Sequence, residues 1–212
     1  DANISLIQKD KNTDLIYISY STPKTQSRTY LYDLKTKEKK LVKEQIIPSG
    51  HDPKNYIVER LECSSNDGRK VPLTITRHKN TSIDGSANLL LYGYGSYGAS
   101  MSPSFSTTKL SLINRDIIWV TAHIRGGMER GMKWWKEGKL LNKKNTFNDY
   151  IAVANFLIKK KYTSKGKIIG MGGSAGGLLM GAVVNKSPDL FLGIIMAVPF
   201  VDSLTTNLDH SL

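Results

Sequence analysis

The chain has 212 residues, 40% of them hydrophobic, a share that supplies a buried core and argues against wholesale disorder. Its longest apolar runs have strand length, well short of the roughly 20 residues needed to span a bilayer, so no membrane association is expected. The formal net charge of +12 invites a nucleic-acid reading, but the lysines are scattered and only seven of the 30 basic residues are Arg. Phosphate and base readers favour the planar arginine fork, so the charge reads as a solvated Lys-rich surface and no nucleic acid is expected as a partner.

Residues 14–43 have the pattern of a β-meander. Leu15–Ile18 and Thr29–Tyr32 are β-rich runs parted by the turn-prone Ser21-Thr22-Pro23, and a third strand is expected at Lys40–Val42. Three short strands cannot bury a core alone, which suggests one unit of a larger array. The breaker-rich Pro48-Ser49-Gly50-His51-Asp52-Pro53 then marks a boundary.

Beyond it, strands at Tyr56–Cys63 and Val71–Arg77 flank Asn66-Asp67-Gly68, a strong hairpin signal. Apolar strands at Leu89–Tyr92, Ile117–His123, Lys167–Met171 and Gly193–Val198 alternate with helical stretches, the arrangement of an α/β layer on a mostly parallel sheet. Phe147, Tyr150, Ile151, Ala154, Leu157 and Ile158 fall at helical spacing, and Thr146 with Asp149 three residues later reads as a capping pair. Cys63 is the single cysteine, which excludes an internal disulfide and a cysteine metal cluster and fits a reducing cytoplasm.

Chemistry concentrates in Gly172-Gly173-Ser174-Ala175-Gly176. This matches G-x-S-x-G, in which small residues let a strand and a helix approach closely while a serine rides the strained turn between them. An apolar strand precedes it and Ala175–Val184 can form the following helix, whose free N–H groups would face a reacting oxygen.

Around that elbow, Asn185 with Pro188-Asp189-Leu190-Phe191, Val198–Asp202, the run Leu91–Gly98, Arg125-Gly126-Gly127 with Glu129, and Asn142–Asp149 together resemble the prolyl oligopeptidase family, its oligopeptidase B branch above all. The resemblance implies an α/β fold in which residues 1–47 are the last, partial blade of a β-propeller and residues 48–212 the N-terminal part of an α/β-hydrolase peptidase domain. It implies a serine-type oligopeptidase acting on short peptides, after Arg or Lys, with neither metal nor organic cofactor. Ser174 corresponds to the nucleophile, and Tyr94 together with the backbone N–H of Ala175 to the oxyanion hole.

Three departures accompany the resemblance. The acid and base of such a triad follow the serine on later strand–helix units, so Asp202, Asp209 and His210 come too early and His123 precedes the nucleophile. The chain is therefore expected to be inactive alone and to need a complementary C-terminal chain. A non-catalytic remnant, or an acyl-peptide hydrolase or esterase on the same scaffold, are the other readings. Ser102 and Ser104 stand where the family carries an acidic pair, and Met128 where a third glycine is usual after Arg125-Gly126-Gly127, so specificity and that turn are both open to change.

Overall fold

The computed structural model describes residues 2–7, 11–102 and 104–211. Four antiparallel strands open the chain: β1 (Asn3–Ile7), β2 (Leu15–Thr22), β3 (Thr25–Asp33) and β4 (Lys39–Glu44), in that spatial order. The expected three-stranded meander thus gains a strand at its start, with Leu6 opposite Ile18. The β2–β3 turn falls at Pro23-Lys24, where proline's fixed φ suits the bend and its missing N–H leaves no ladder bond unmade. No residue of this sheet enters either core of the molecule, and β4 is exposed throughout.

His51, in the breaker-rich connection, is its bridge to the rest. Its Nε2 donates to the Lys24 carbonyl at 2.8 Å, while the ring stacks on Tyr56 and meets Phe105 edge-on.

A second sheet has six strands: β5 (Tyr56–Ser64), β6 (Lys70–His78), β7 (Leu89–Tyr92), β8 (Ile118–Ala122), β9 (Ile168–Gly173) and β10 (Phe191–Ala197), in the order β10-β9-β7-β8-β6-β5. Pairings from β10 through β8 are parallel, and the β5–β6 hairpin joins β8 antiparallel. The sheet is therefore mixed, with the parallel part at the end that carries the serine.

Leu89, Leu91, Val120, Ala122 and Ile168 point to one face. There they meet α3 (Lys144–Lys159) through Tyr150, Val153, Ala154 and Leu157, and α4 (Ala175–Lys186) through Leu179, Met180 and Val183. Alternate residues Leu90 and Trp119 face the other side, under Leu110 and Ile113 of α1 (Thr107–Ile113). Two short helices, α2 (Met132–Lys136) and α5 (Ser203–Leu208), complete the α-helices among the described residues. No helix among the described residues is long and apolar enough to cross a membrane.

The capping pair expected at Thr146 and Asp149 does not form. The helix starts at Lys144 with Lys143 at its N-cap, and the side chains of Thr146 and Asp149 are fully buried in tertiary contacts. Thr146 Oγ1 donates to the Arg125 and Gly138 carbonyls, and Asp149 accepts from Arg125 and Ser65. These long-range bonds outbid the local cap. Met128 sits outside the left-handed region, so its turn does not demand glycine there.

Candidate active site

At the point where β9 gives way to α4, Ser174 adopts φ 54° and ψ −119°, a conformation that costs an L-residue on the order of 1–3 kcal/mol. Neighbouring backbone holds it there. The Ser174 N–H donates to Ala197 O at 2.9 Å, and its carbonyl accepts from Gly177 N at 2.8 Å and Phe200 N at 3.0 Å. A Cβ at position 172 would lie 2.2 Å from the Gly176 carbonyl oxygen, so only glycine lets strand and helix meet this closely. The Ser174 side chain is exposed. The N–H of Ala175 belongs to the first turn of α4, where no intrahelical acceptor exists and the helix dipole favours negative charge.

Tyr94 comes to this helix from β7. Its Cδ2 lies 3.3 Å from where a Gly176 Cβ would project, so the phenol ring sits against the first turn of α4. The loop after β7 is fastened at several points. Gly93 N donates to Met171 O at 3.1 Å and Gly98 N to Gly126 O at 2.9 Å. Met101 N donates to Glu129 Oε1 at 2.9 Å, and Lys143 Nζ donates to Gly95 O at 2.6 Å and Ser96 Oγ at 2.7 Å.

Beneath this loop Arg125 is buried with its carboxylate partners. Its Nε and one terminal nitrogen donate to Asp149 at 2.8 and 2.6 Å, and the guanidinium also reaches Asp67. Burial works against the charge, but hydrogen bonds to the two carboxylates outweigh it and raise the Arg125 pKa above its ordinary value. Gly126, at φ 96°, follows directly, and a Cβ there would be 2.0 Å from Gly95 O. The arginine turn and the tyrosine loop thus pack backbone to backbone.

The other candidate residues lie elsewhere. Among the described residues no side chain hydrogen-bonds the Ser174 hydroxyl. His123 is only 1% exposed, with Arg60 and Thr74 both at 2.9 Å from Nε2. Since Arg60 can only donate, that nitrogen's lone pair is already engaged. Asp202 caps α5 through Thr205 N, Asp209 is held below its usual pKa by Ser211, and His210 is exposed.

A cavity of about 390 Å³ opens near the C-terminal ends of the central strands, lined by Tyr92, Met101, Ser102, Lys109, Trp119 and Met171. Burial lowers the Lys109 pKa, and its ammonium sits 5.1 Å over the Trp119 ring.

The sequence profile of the prolyl oligopeptidase family matches residues 103–212, just over half of the chain. The chain belongs to the prolyl oligopeptidase family. Within it, the chain is 46% identical over 204 residues to dipeptidyl aminopeptidase BI of Pseudoxanthomonas mexicana, covering 96% of this chain and 28% of that protein. It is 42% identical over 207 residues to Protease 2 of Moraxella lacunata, covering 98% and 30%. Oligopeptidase B from Trypanosoma brucei, solved with covalently bound antipain, superposes with a TM-score of 0.91 at 37% identity, over 98% of this chain and 30% of that one. Oligopeptidase B from Leishmania major gives 0.90 at 39%, over 98% and 29%. The chain thus spans under a third of the length of these prolyl oligopeptidase family members.

Lys143 and Glu129 escaped notice as holders of the tyrosine loop. Lys143 does leave a trace in the sequence, since it stands with Lys144 at a helix start, where acidic or capping residues are the rule.

Proposed function

We propose that this chain carries the nucleophile of a serine-type oligopeptidase that cleaves short peptides after Arg or Lys through an acyl-enzyme. The observation that supports it most is Ser174, exposed and strained between β9 and α4, with the Ala175 N–H beside it. In the reaction, Ser174 Oγ attacks the scissile carbonyl while its proton passes to a base. The carbonyl oxygen, now negative, accepts from Ala175 N–H and the Tyr94 hydroxyl. The tetrahedral intermediate collapses with protonation and departure of the amine, and water then releases the acyl group by the same steps. In this reading residues 1–47 are a propeller blade that restricts substrate size, and the lone, buried Cys63 suits a reducing cytoplasm. Ser102 and the cationic Lys109 in the cavity beside the strand ends favour a single basic residue in the substrate over two in succession.

Because no described group hydrogen-bonds the Ser174 hydroxyl, we assign the base and its acid to a complementary segment. The same observation supports a second reading, a non-catalytic remnant. The test expresses residues 1–212 alone and with a family C-terminal segment, then assays fluorogenic Arg and Lys peptides. Turnover only in the pair, abolished by Ser174→Ala, is the expected result; no turnover with any complementing segment favours the remnant. Robust turnover by the lone chain would overturn the assignment of the base.

A further inference from the structure

Lys143 occupies a place where local physics disfavours a cation. It is the N-cap of α3 and is followed by Lys144, with no acidic residue in the first turn. The positive end of a helix dipole there disfavours a cation. The side chain is also half-buried, and among the described residues no carboxylate pairs with it. A charge kept against both helix dipole and burial is expected where it serves another end.

Both polar partners of that ammonium lie on the loop of Tyr94. Gly95 O, at 2.6 Å, belongs to the residue directly after the tyrosine, and Ser96 Oγ, at 2.7 Å, to the next. Gly95 has φ 66°, and a Cβ on it would meet Thr146 Cγ2 at 2.4 Å and Ile124 Cγ1 at 2.9 Å. The Gly95 peptide is therefore wedged between the Arg125 turn and the start of α3, with Lys143 closing the remaining side. Charge-assisted bonds of this length are about twice as strong as neutral ones, and two of them at one nitrogen define an orientation.

We propose that Lys143 is the positioning residue of the oxyanion loop: by holding Gly95 O and Ser96 Oγ it sets the direction of the Tyr94 phenol toward the first turn of α4. This rests on the proposed role of Tyr94. Lys143 touches no reacting atom and acts through the backbone alone.

The direct test labels this chain with 3-fluorotyrosine at position 94 and reads its fluorine NMR signal. The expected wild-type result is one narrow resonance. Lys143→Met should broaden or split it, Lys143→Arg should keep it single, and Lys144→Met, which removes an exposed charge from the same helix end, should leave it unmoved. An unchanged resonance in Lys143→Met overturns the proposal. If that variant loses its near-ultraviolet tryptophan signal, Lys143→Gln gives the reading instead, a shifted resonance supporting and an unshifted one refuting.

A kinetic arm uses the complemented chain. Lys143→Met should lower kcat by ten- to a hundredfold with KM within about twofold, because a small misplacement of an oxyanion donor is felt chiefly in the transition state. Added to Tyr94→Phe it should cost little more, whereas an independent structural defect would add. A loss in Tyr94→Phe with full kcat in Lys143→Met would refute the positioning role alone. No loss in Tyr94→Phe would instead show that the oxyanion reading is wrong, and the NMR arm would still decide whether Lys143 orients the loop.

Discussion

Arg125 and Asp149 meet through two parallel hydrogen bonds of 2.8 and 2.6 Å, with both side chains closed to solvent. One sits on the turn after β8 and the other in the body of α3, so the pair fastens that turn to the helix. Asp149 also accepts from Arg125 N at 3.1 Å and Ser65 Oγ at 2.6 Å, which leaves little of its acceptor capacity unused.

Removing Arg125 strands the Asp149 charge in the interior, and removing Asp149 leaves the buried Arg125 with only the partly exposed Asp67. Arg125→Met or Asp149→Ala is expected to cost about 3–5 kcal/mol. Against a typical total of roughly 5–15 kcal/mol, the loss should show as a large drop in the urea midpoint or as failure to fold. A midpoint near that of the wild type would show that the pair is dispensable.

Tyr94→Phe removes one hydroxyl and little volume. In the complemented chain it should lower turnover by roughly 10² with stability nearly unchanged, since one oxyanion donor is worth about 3 kcal/mol. Unaltered turnover would mean the ring only packs against α4.

Gly172→Ala tests the elbow. Its Cβ would press on the Gly176 carbonyl, and backbone on both sides leaves no flexible group to yield. We expect a cost of about 1–3 kcal/mol or more, read as a lowered Tm, with the Ser174 turn displaced.

Cys63 is 3% exposed, and burial, aided by the nearby Asp149 charge, pushes its thiol up to about 11. Thiol reagents at pH 8 should label it in denaturant and hardly at all in the folded chain. Rapid native labelling would contradict the packing around β5.

Burial alone pushes Lys143 down from 10.5 to about 8. Between those values the unfolded chain binds more protons than the folded one, so this residue's contribution rises with pH across that window. Below pH 8 both states are charged and the cost of burying the ammonium is fully present. Urea midpoints at pH 7.5 and 10 should therefore shift in favour of wild type relative to Lys143→Met. Buried tyrosines such as Tyr162 act in the opposite sense above pH 10 but are common to both chains.

The strands β7, β8 and β9 were legible because buried parallel strands are runs of Leu, Ile and Val, and α3 because its apolar residues repeat at helical spacing. Ser174 was legible because an elbow needs small residues at fixed offsets within five positions. What could not be read depends on distant partners. Strand β1 exists by pairing Asn3–Ile7 with Tyr17–Ser21, and nothing in its five residues announces that register. Thr146 and Asp149 looked like a local cap because Arg125, more than 20 residues away, is invisible at that range. Lys143 binds a backbone carbonyl 48 residues upstream, and a carbonyl leaves no mark in a sequence.

The bonds from Ser174 N to Ala197 O and from Phe200 N to Ser174 O also set an order of events during synthesis. A nascent chain that has emerged only as far as residue 190 holds β9, α4 and the Gly177 N–H, but neither Ala197 O nor Phe200 N, the two groups that hold the serine from the strand beyond. Until β10 arrives and lies beside β9, the peptide at position 174 is free to relax. The strained turn at position 174 is thus completed last, by residues made more than twenty positions after it.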